Sequence, residues 1–139
     1  MIPIVTVNLV SVIAAAIAAF VVGMIWYSPA VFGKKWMKMM GVTEKEMAKG
    51  KEKMMGVMAT SLVLSVVTAY VLSMVMKIAG ANILMDAVQL AFWIWLGFFA
   101  APLYMSVLYE KKSMDWWIIT AGHHLAGLLA MGIVLVFMR

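Results

Sequence analysis

Trp26-Tyr27-Ser28-Pro29-Ala30-Val31-Phe32-Gly33-Lys34-Lys35-Trp36 is where this chain changes character. Residues 1–33 carry no charged side chain, and most of the positive charge begins inside this stretch or just after it. The stretch reads as the place where a first membrane span ends and the chain turns to lie along the membrane surface. Pro29 cannot comfortably continue the span, but it suits the first turn of a new helix with Ser28 as its cap. From there to Gly41, at about 100° per residue, Phe32, Trp36, Met39 and Met40 gather on one face while Lys34, Lys35 and Lys38 share the other. That pattern predicts an interfacial helix over about 29–40, apolar face down and the three lysines toward lipid headgroups.

Working outward, the composition is too apolar for a soluble domain. The 139 residues are 66% hydrophobic and 12% charged, with a mean hydropathy of +1.04, where soluble domains are roughly half apolar. The charges are also segregated, leaving uncharged windows of 23 residues at 54–76, 87–109 and 116–138. A hydrocarbon core about 30 Å thick needs about 20 helical residues, so each window fits one tilted span. The first span is placed at about 4–27. Met1-Ile2-Pro3-Ile4 lacks the positive region of a signal peptide and the apolar run is too long for one, so a retained span is expected. The fold class is therefore an all-α integral membrane protein, residues 1–139 forming one domain of four transmembrane helices with an amphipathic interfacial helix between the first and second. No internal repeat is visible, which argues against an inverted-repeat transporter within one chain.

Orientation follows from Lys and Arg. Seven lysines lie between the first and second spans, and Lys111 and Lys112 make nine on that side, against Lys77 and Arg139 on the other. Positive residues in short loops stay cytoplasmic, so both termini of this cell-membrane protein are expected outside. The surplus gives the net charge of +5 and a pI near 9.6. Because the lysines flank spans, anionic lipid headgroups are the expected partner rather than nucleic acid. The absence of Cys excludes disulfides, thiolate metal sites and Cys catalysis.

Taken in order, the first span carries a stripe of small residues, Ala15, Ala19 and Gly23, of the kind that lets helix backbones approach closely in lipid. Asn8 is expected to make an interfacial or interhelical hydrogen bond. Thr43-Glu44-Lys45-Glu46 resembles a capping box and predicts a helical turn running through Gly50 into the second span. Gly80-Ala81-Asn82 predicts a short outer turn. Asp86 and Asp115 stand at helix N-termini, Lys77 and Arg139 at C-termini, as the helix dipole favours. Pro102 is expected to kink the third span. Trp26, Tyr27, Tyr109, Trp116 and Trp117 are expected to form an aromatic belt at the cytoplasmic surface.

His123 and His124 are the most functional-looking residues, because ionisable side chains inside a membrane are rare and costly. Pro102, Tyr104, Thr60 and Tyr27 reach a similar depth from their own spans. A polar pocket of Tyr27, Thr60, Tyr104, His123 and His124 around the carbonyl freed by Pro102 is one expectation. A structural role for neutral imidazoles is the other, since adjacent helical residues face directions about 100° apart and should not both line one small site. Two adjacent His and no carboxylate within a span provide no metal set, no haem pair and no proton-coupling acid. The methionines, 16 in all, are read as adaptable packing rather than copper ligands. No metal or cofactor is expected.

The Trp26-Tyr27-Ser28-Pro29 turn followed by Phe32-Gly33 and Trp36 resembles the N-terminal signature of a prokaryotic family of small four-span membrane proteins, catalogued as domain of unknown function 1761. Gly97-Phe98, Pro102, Tyr109-Glu110-Lys111-Lys112-Ser113 and Ala121-Gly122 are also similar to the family pattern. The resemblance implies a fold and a membrane location and no activity, substrate or catalytic residues. The chain is thus read as a non-enzymatic membrane component that associates with itself or with a membrane partner, on small faces of the first span and at Gly122, Ala126 and Ala130. The alternative is an oligomeric channel or carrier for a small solute, lipid or proton, using the pocket near His123 and His124.

Overall fold

In the computed structural model, which describes residues 1–138, Asn8 opens the first helix: its Oδ1 accepts from the backbone N–H groups of Val10 and Ser11 at 3.0 and 3.4 Å. Helix α1 therefore runs Leu9–Trp26 and does not begin at residue 4. Its 18 residues rise about 27 Å, just short of a hydrocarbon core. The segment before it is tied down, because Lys77 Nζ donates to the Thr6 carbonyl. Asn8 Nδ2 also reaches the Met138 carbonyl at 3.4 Å, so this one side chain both caps its own helix and bridges to another. Arg139, read above as an outer end charge, lies outside the described residues.

The elbow forms by a different route from the one its sequence suggested. Ser28 caps nothing downstream; its Oγ donates back to Ile25 O at 2.7 Å and closes the end of α1. Residues 27–32 form consecutive turns, held by Phe32 N–H to Trp26 O at 3.1 Å and Gly33 N–H to Ser28 O at 2.9 Å. Pro29, with no N–H to donate, fits a turn as readily as a helix start. The interfacial helix α2 consequently spans Gly33–Met40, not 29–40. Its lysines 34, 35 and 38 are exposed while Phe32, Trp36 and Met39 are half-buried. Phe32 packs on Trp26 and Trp36 on Tyr27, at ring separations of 4.9 and 5.9 Å, so the apolar face folds back on the end of α1. Met40, assigned to that face, is exposed.

Thr43 caps helix α3, Glu44–Lys49, by accepting from the Glu46 N–H at 3.2 Å. Gly50 then ends α3 and begins α4, Lys51–Ile78, so the helix expected to run through it is interrupted there. Gly80 adopts the left-handed conformation that closes a helix, with φ 71°. The Asp86 carboxylate accepts from the N–H groups of Asn82 and Ile83, which sets the start of the third span. That span comprises α5, Leu84–Trp95, a π-helical turn at Leu96–Ala100, and α6, Ala101–Tyr109. The fourth is α7, Met114–Phe137, capped by Ser113 Oγ accepting from Trp116 N–H at 3.0 Å.

Packing follows the small residues. Helix α1 lies along α7, α4 packs on α1, and α5 packs on α7, so the spans stand in the order second, first, fourth, third. Val12, Ala15, Ala16 and Ala19 of α1 are buried with Leu128 and Met131 of α7 and Ala69 and Leu72 of α4. In the second and third spans only 11% of the most apolar window is fully buried, so much of their apolar surface is open, as a lipid-facing surface must be. Four helices are long and apolar enough to cross a membrane, and no strand occurs among the described residues. The chain is an all-α, multi-pass integral membrane protein.

Candidate functional site

The site begins with the seam between α1 and α7, where two glycines trade places with two large side chains. A Cβ on Gly122 would stand 2.9 Å from Trp26 Cζ2, and one on Gly23 would stand 2.9 Å from His123 Nε2. The bare backbone at Gly23 therefore makes room for the His123 imidazole, and that at Gly122 for the Trp26 indole. Trp26 Nε1 is spent on the Ile119 carbonyl at 3.0 Å, which fixes the ring and the height of α1 against α7. Trp95 Nε1 reaches the Ala121 carbonyl at 2.7 Å, and Trp117 Nε1 the Ala100 carbonyl at 2.9 Å. Three indoles thus donate to carbonyls on neighbouring helices around the same stretch of α7.

Next to this stretch a cleft of about 250 Å³ opens between α4 and the third span, over the seam of α1 and α7. Its polar walls are Ser61, Ser65 and Thr68 on one side and His123 and His124 on the other. Ala19, Leu64, Phe99, Leu128 and Met131 complete it. Both histidines line the one cleft, against the expectation that adjacent residues diverge. Their rings are 5.3 Å apart, because His123 lies edge-on to Tyr27 at 5.1 Å and His124 packs on Phe99 at 4.9 Å. Neither imidazole exchanges a hydrogen bond with another described side chain or carbonyl. Ser61 Oγ donates to Val57 O at 2.8 Å and Thr68 Oγ1 to Leu64 O at 3.0 Å, which spends their protons on their own helix and leaves the oxygen lone pairs outward.

Of the residues singled out from the sequence, the structure joins Tyr27, His123 and His124 and separates the rest. Thr60 is exposed and bonds Gly56 O at 2.8 Å on its own helix; Ser61, one residue on, carries the hydroxyl that faces the cleft. Pro102 is exposed and outside the cleft. Tyr104 stands edge-on to Trp117 at 5.5 Å, also outside. The third span contributes Phe99 instead, from its π-helical turn. The sign of Ser61, Ser65 and Thr68 in the sequence is their spacing, four and then three residues, which puts them on one helix face, although hydroxyls on a span usually satisfy themselves on their own backbone.

Lys34, Lys35 and Lys38 lie on the outside of α2, and Lys35 Nζ pairs with Asp115 at 3.5 Å. Both side chains are more than half exposed, so the pair is worth less than about 1 kcal/mol. A larger hollow, about 410 Å³, lies on the outer side of α5 against α7 between Phe92, Trp93 and Leu125. Apart from Gln89 and the indole of Trp93, its lining side chains are wholly apolar. Among the described residues no group of three or more His, Cys, Asp or Glu is placed to hold a metal ion.

A family model described as a protein of unknown function, DUF1761, matches residues 10–136. No curated protein and no solved structure matches the chain.

Proposed function

The chain belongs to the DUF1761 family of proteins of unknown function, and on that premise we propose that it is a non-enzymatic component of the cell membrane that binds a small molecule within the bilayer. The cleft carries the reading. It holds two imidazoles with hydrogen-bonding atoms to spare, at the depth where unsatisfied polar groups are most costly. Binding is favoured over catalysis because the cleft hydroxyls of Ser61 and Thr68 are committed to backbone carbonyls and no carboxylate lines the walls to orient a base. In this reading both termini face outward, and the lysines of α2 rest on anionic headgroups of the cytoplasmic leaflet.

A role in self-association has less support, since Ala15, Ala16 and Ala19 are buried within the single chain and Gly122 is covered by its own Trp26. The test is native mass spectrometry of protein released from vesicles of a bacterial polar-lipid extract. Wild type should retain a small molecule that His123→Phe/His124→Phe retains at least tenfold less, and Ser65→Leu, which fills the cleft from α4, should lose it as well. Identical retained species in all three proteins would remove the proposal.

A further inference from the structure

The walls of the cleft also restrict what can enter it. No Lys, Arg, Asp or Glu lines it, and both imidazoles sit among apolar side chains, so a charged group would enter without a counter-charge in a medium that penalises it heavily. The α4 wall is rich in acceptors, because Ser61 and Thr68 have given their protons to Val57 O and Leu64 O. Each neutral imidazole adds one acceptor and one donor. Those groups are matched by an uncharged head bearing hydroxyls. At about 250 Å³ the cleft has room for such a head, on the order of eight waters by volume, and is far too narrow for a helix about 10 Å across.

The approach is sideways. Ser61 and Leu64 are exposed on α4, so the cleft opens toward the lipid rather than toward either aqueous face. Ser65 is near the middle of α4, Lys51–Ile78, which places the polar walls near the centre of the span. Phe99 reaches the cleft from the π-helical turn Leu96–Ala100, and π turns inside α-helices are frequent at functional sites. We propose that the cleft is a lateral site for an uncharged, hydroxyl-headed amphiphile, with its head between Ser61, Ser65, Thr68 and the histidines and its tail in the surrounding lipid. This rests on the binding role proposed above and names its ligand class.

Three probes of one chain length test it in phosphatidylcholine nanodiscs: monoolein, which carries two hydroxyls; methyl oleate, which carries none; and oleate, an anion. Retention is read by native mass spectrometry and contact by the ¹⁵N shifts of the two imidazoles. Monoolein should be held at least tenfold better than either of the others and should shift the His124 nitrogens. Ser61→Ala/Ser65→Ala/Thr68→Val should erase that preference with little effect on folding, because the replaced hydroxyls hold no other helix. Equal retention of methyl oleate or oleate, still lost in His123→Phe/His124→Phe, would overturn the ligand class and leave the cleft as a binding site. Retention of all three that is the same in wild type, the hydroxyl variant and the histidine variant would overturn both.

Discussion

Gly33 shows how much of the fold a single hydrogen can decide. A Cβ there would collide with the Tyr27 carbonyl oxygen and stand 2.8 Å from the backbone of Ser28. Backbone cannot step aside as a flexible side chain can, so Gly33→Ala should cost about 1–3 kcal/mol and lower the unfolding midpoint in mild detergent. Gly41 offers the contrast. Nothing lies within 4 Å of its missing Cβ, but its φ of 69° is the left-handed region, so Gly41→Ala should cost only about 1 kcal/mol. If the two variants melted alike, the elbow would not depend on the close approach at Gly33. The Phe32-Gly33 pair stands out in the sequence, but the reason for it does not. Ser28 and Pro29 carry equally good signals for a helix start and for a turn, and only the backbone bonds from Phe32 and Gly33 to Trp26 and Ser28 choose between them. Thr60 and Ser61 illustrate the same limit: depth along a span can be counted from the sequence, whereas a rotation of about 100° decides which hydroxyl meets the histidines.

At the scale of elements, the third span departs most from its sequence. Pro102 has no N–H and crowds the carbonyl four residues before it, which was the reason to expect a kink. The helix widens into a π turn at Leu96–Ala100 just before it, with Ala101 N–H reaching back to Leu96 O. The widened turn presents Phe99 to the cleft and leaves the Ala100 carbonyl to the Trp117 indole. Pro102→Ala should let a regular α-helical ladder compete with the π turn, raising stability slightly while moving Phe99 off His124. Loss of the aromatic shift on the His124 ring protons would report that movement. The indoles are a second device at this scale. Trp26 and Trp117 were read as members of an interfacial belt, yet both donate to carbonyls of neighbouring spans, as Trp95 does. Trp95→Phe keeps an aromatic ring but removes the donor and part of the packed surface, so it should cost at least the roughly 0.6–2 kcal/mol of an interhelical hydrogen bond in a membrane. An unchanged unfolding midpoint would mean that ring packing alone holds α5 to α7.

For the whole molecule, the charge pattern and the four apolar windows were enough to give four helices long and apolar enough to cross, because a bilayer tolerates few alternatives to a closed helix. The packing order was not legible. Small residues on α1 suit an internal seam and a surface for another chain equally well, and only their burial against α7 and α4 assigns them to the inside. With those faces occupied, the protein should run as a monomer by analytical ultracentrifugation in several mild detergents; a stable dimer in all of them would restore the self-association reading. The proposed cleft depends on the spans crossing as counted, with Ser65 in the lipid core between them. Because the chain has no cysteine, that arrangement can be read directly from single replacements Lys38→Cys, Lys111→Cys, Asn82→Cys and Ser65→Cys in sealed, oriented vesicles. The account predicts that an impermeant maleimide labels Lys38→Cys and Lys111→Cys from the same, cytoplasmic side and Asn82→Cys from the other, while only a lipid-soluble maleimide reaches Ser65→Cys. Labelling of Lys38→Cys and Lys111→Cys from opposite sides, or of Ser65→Cys by the impermeant reagent, would contradict it.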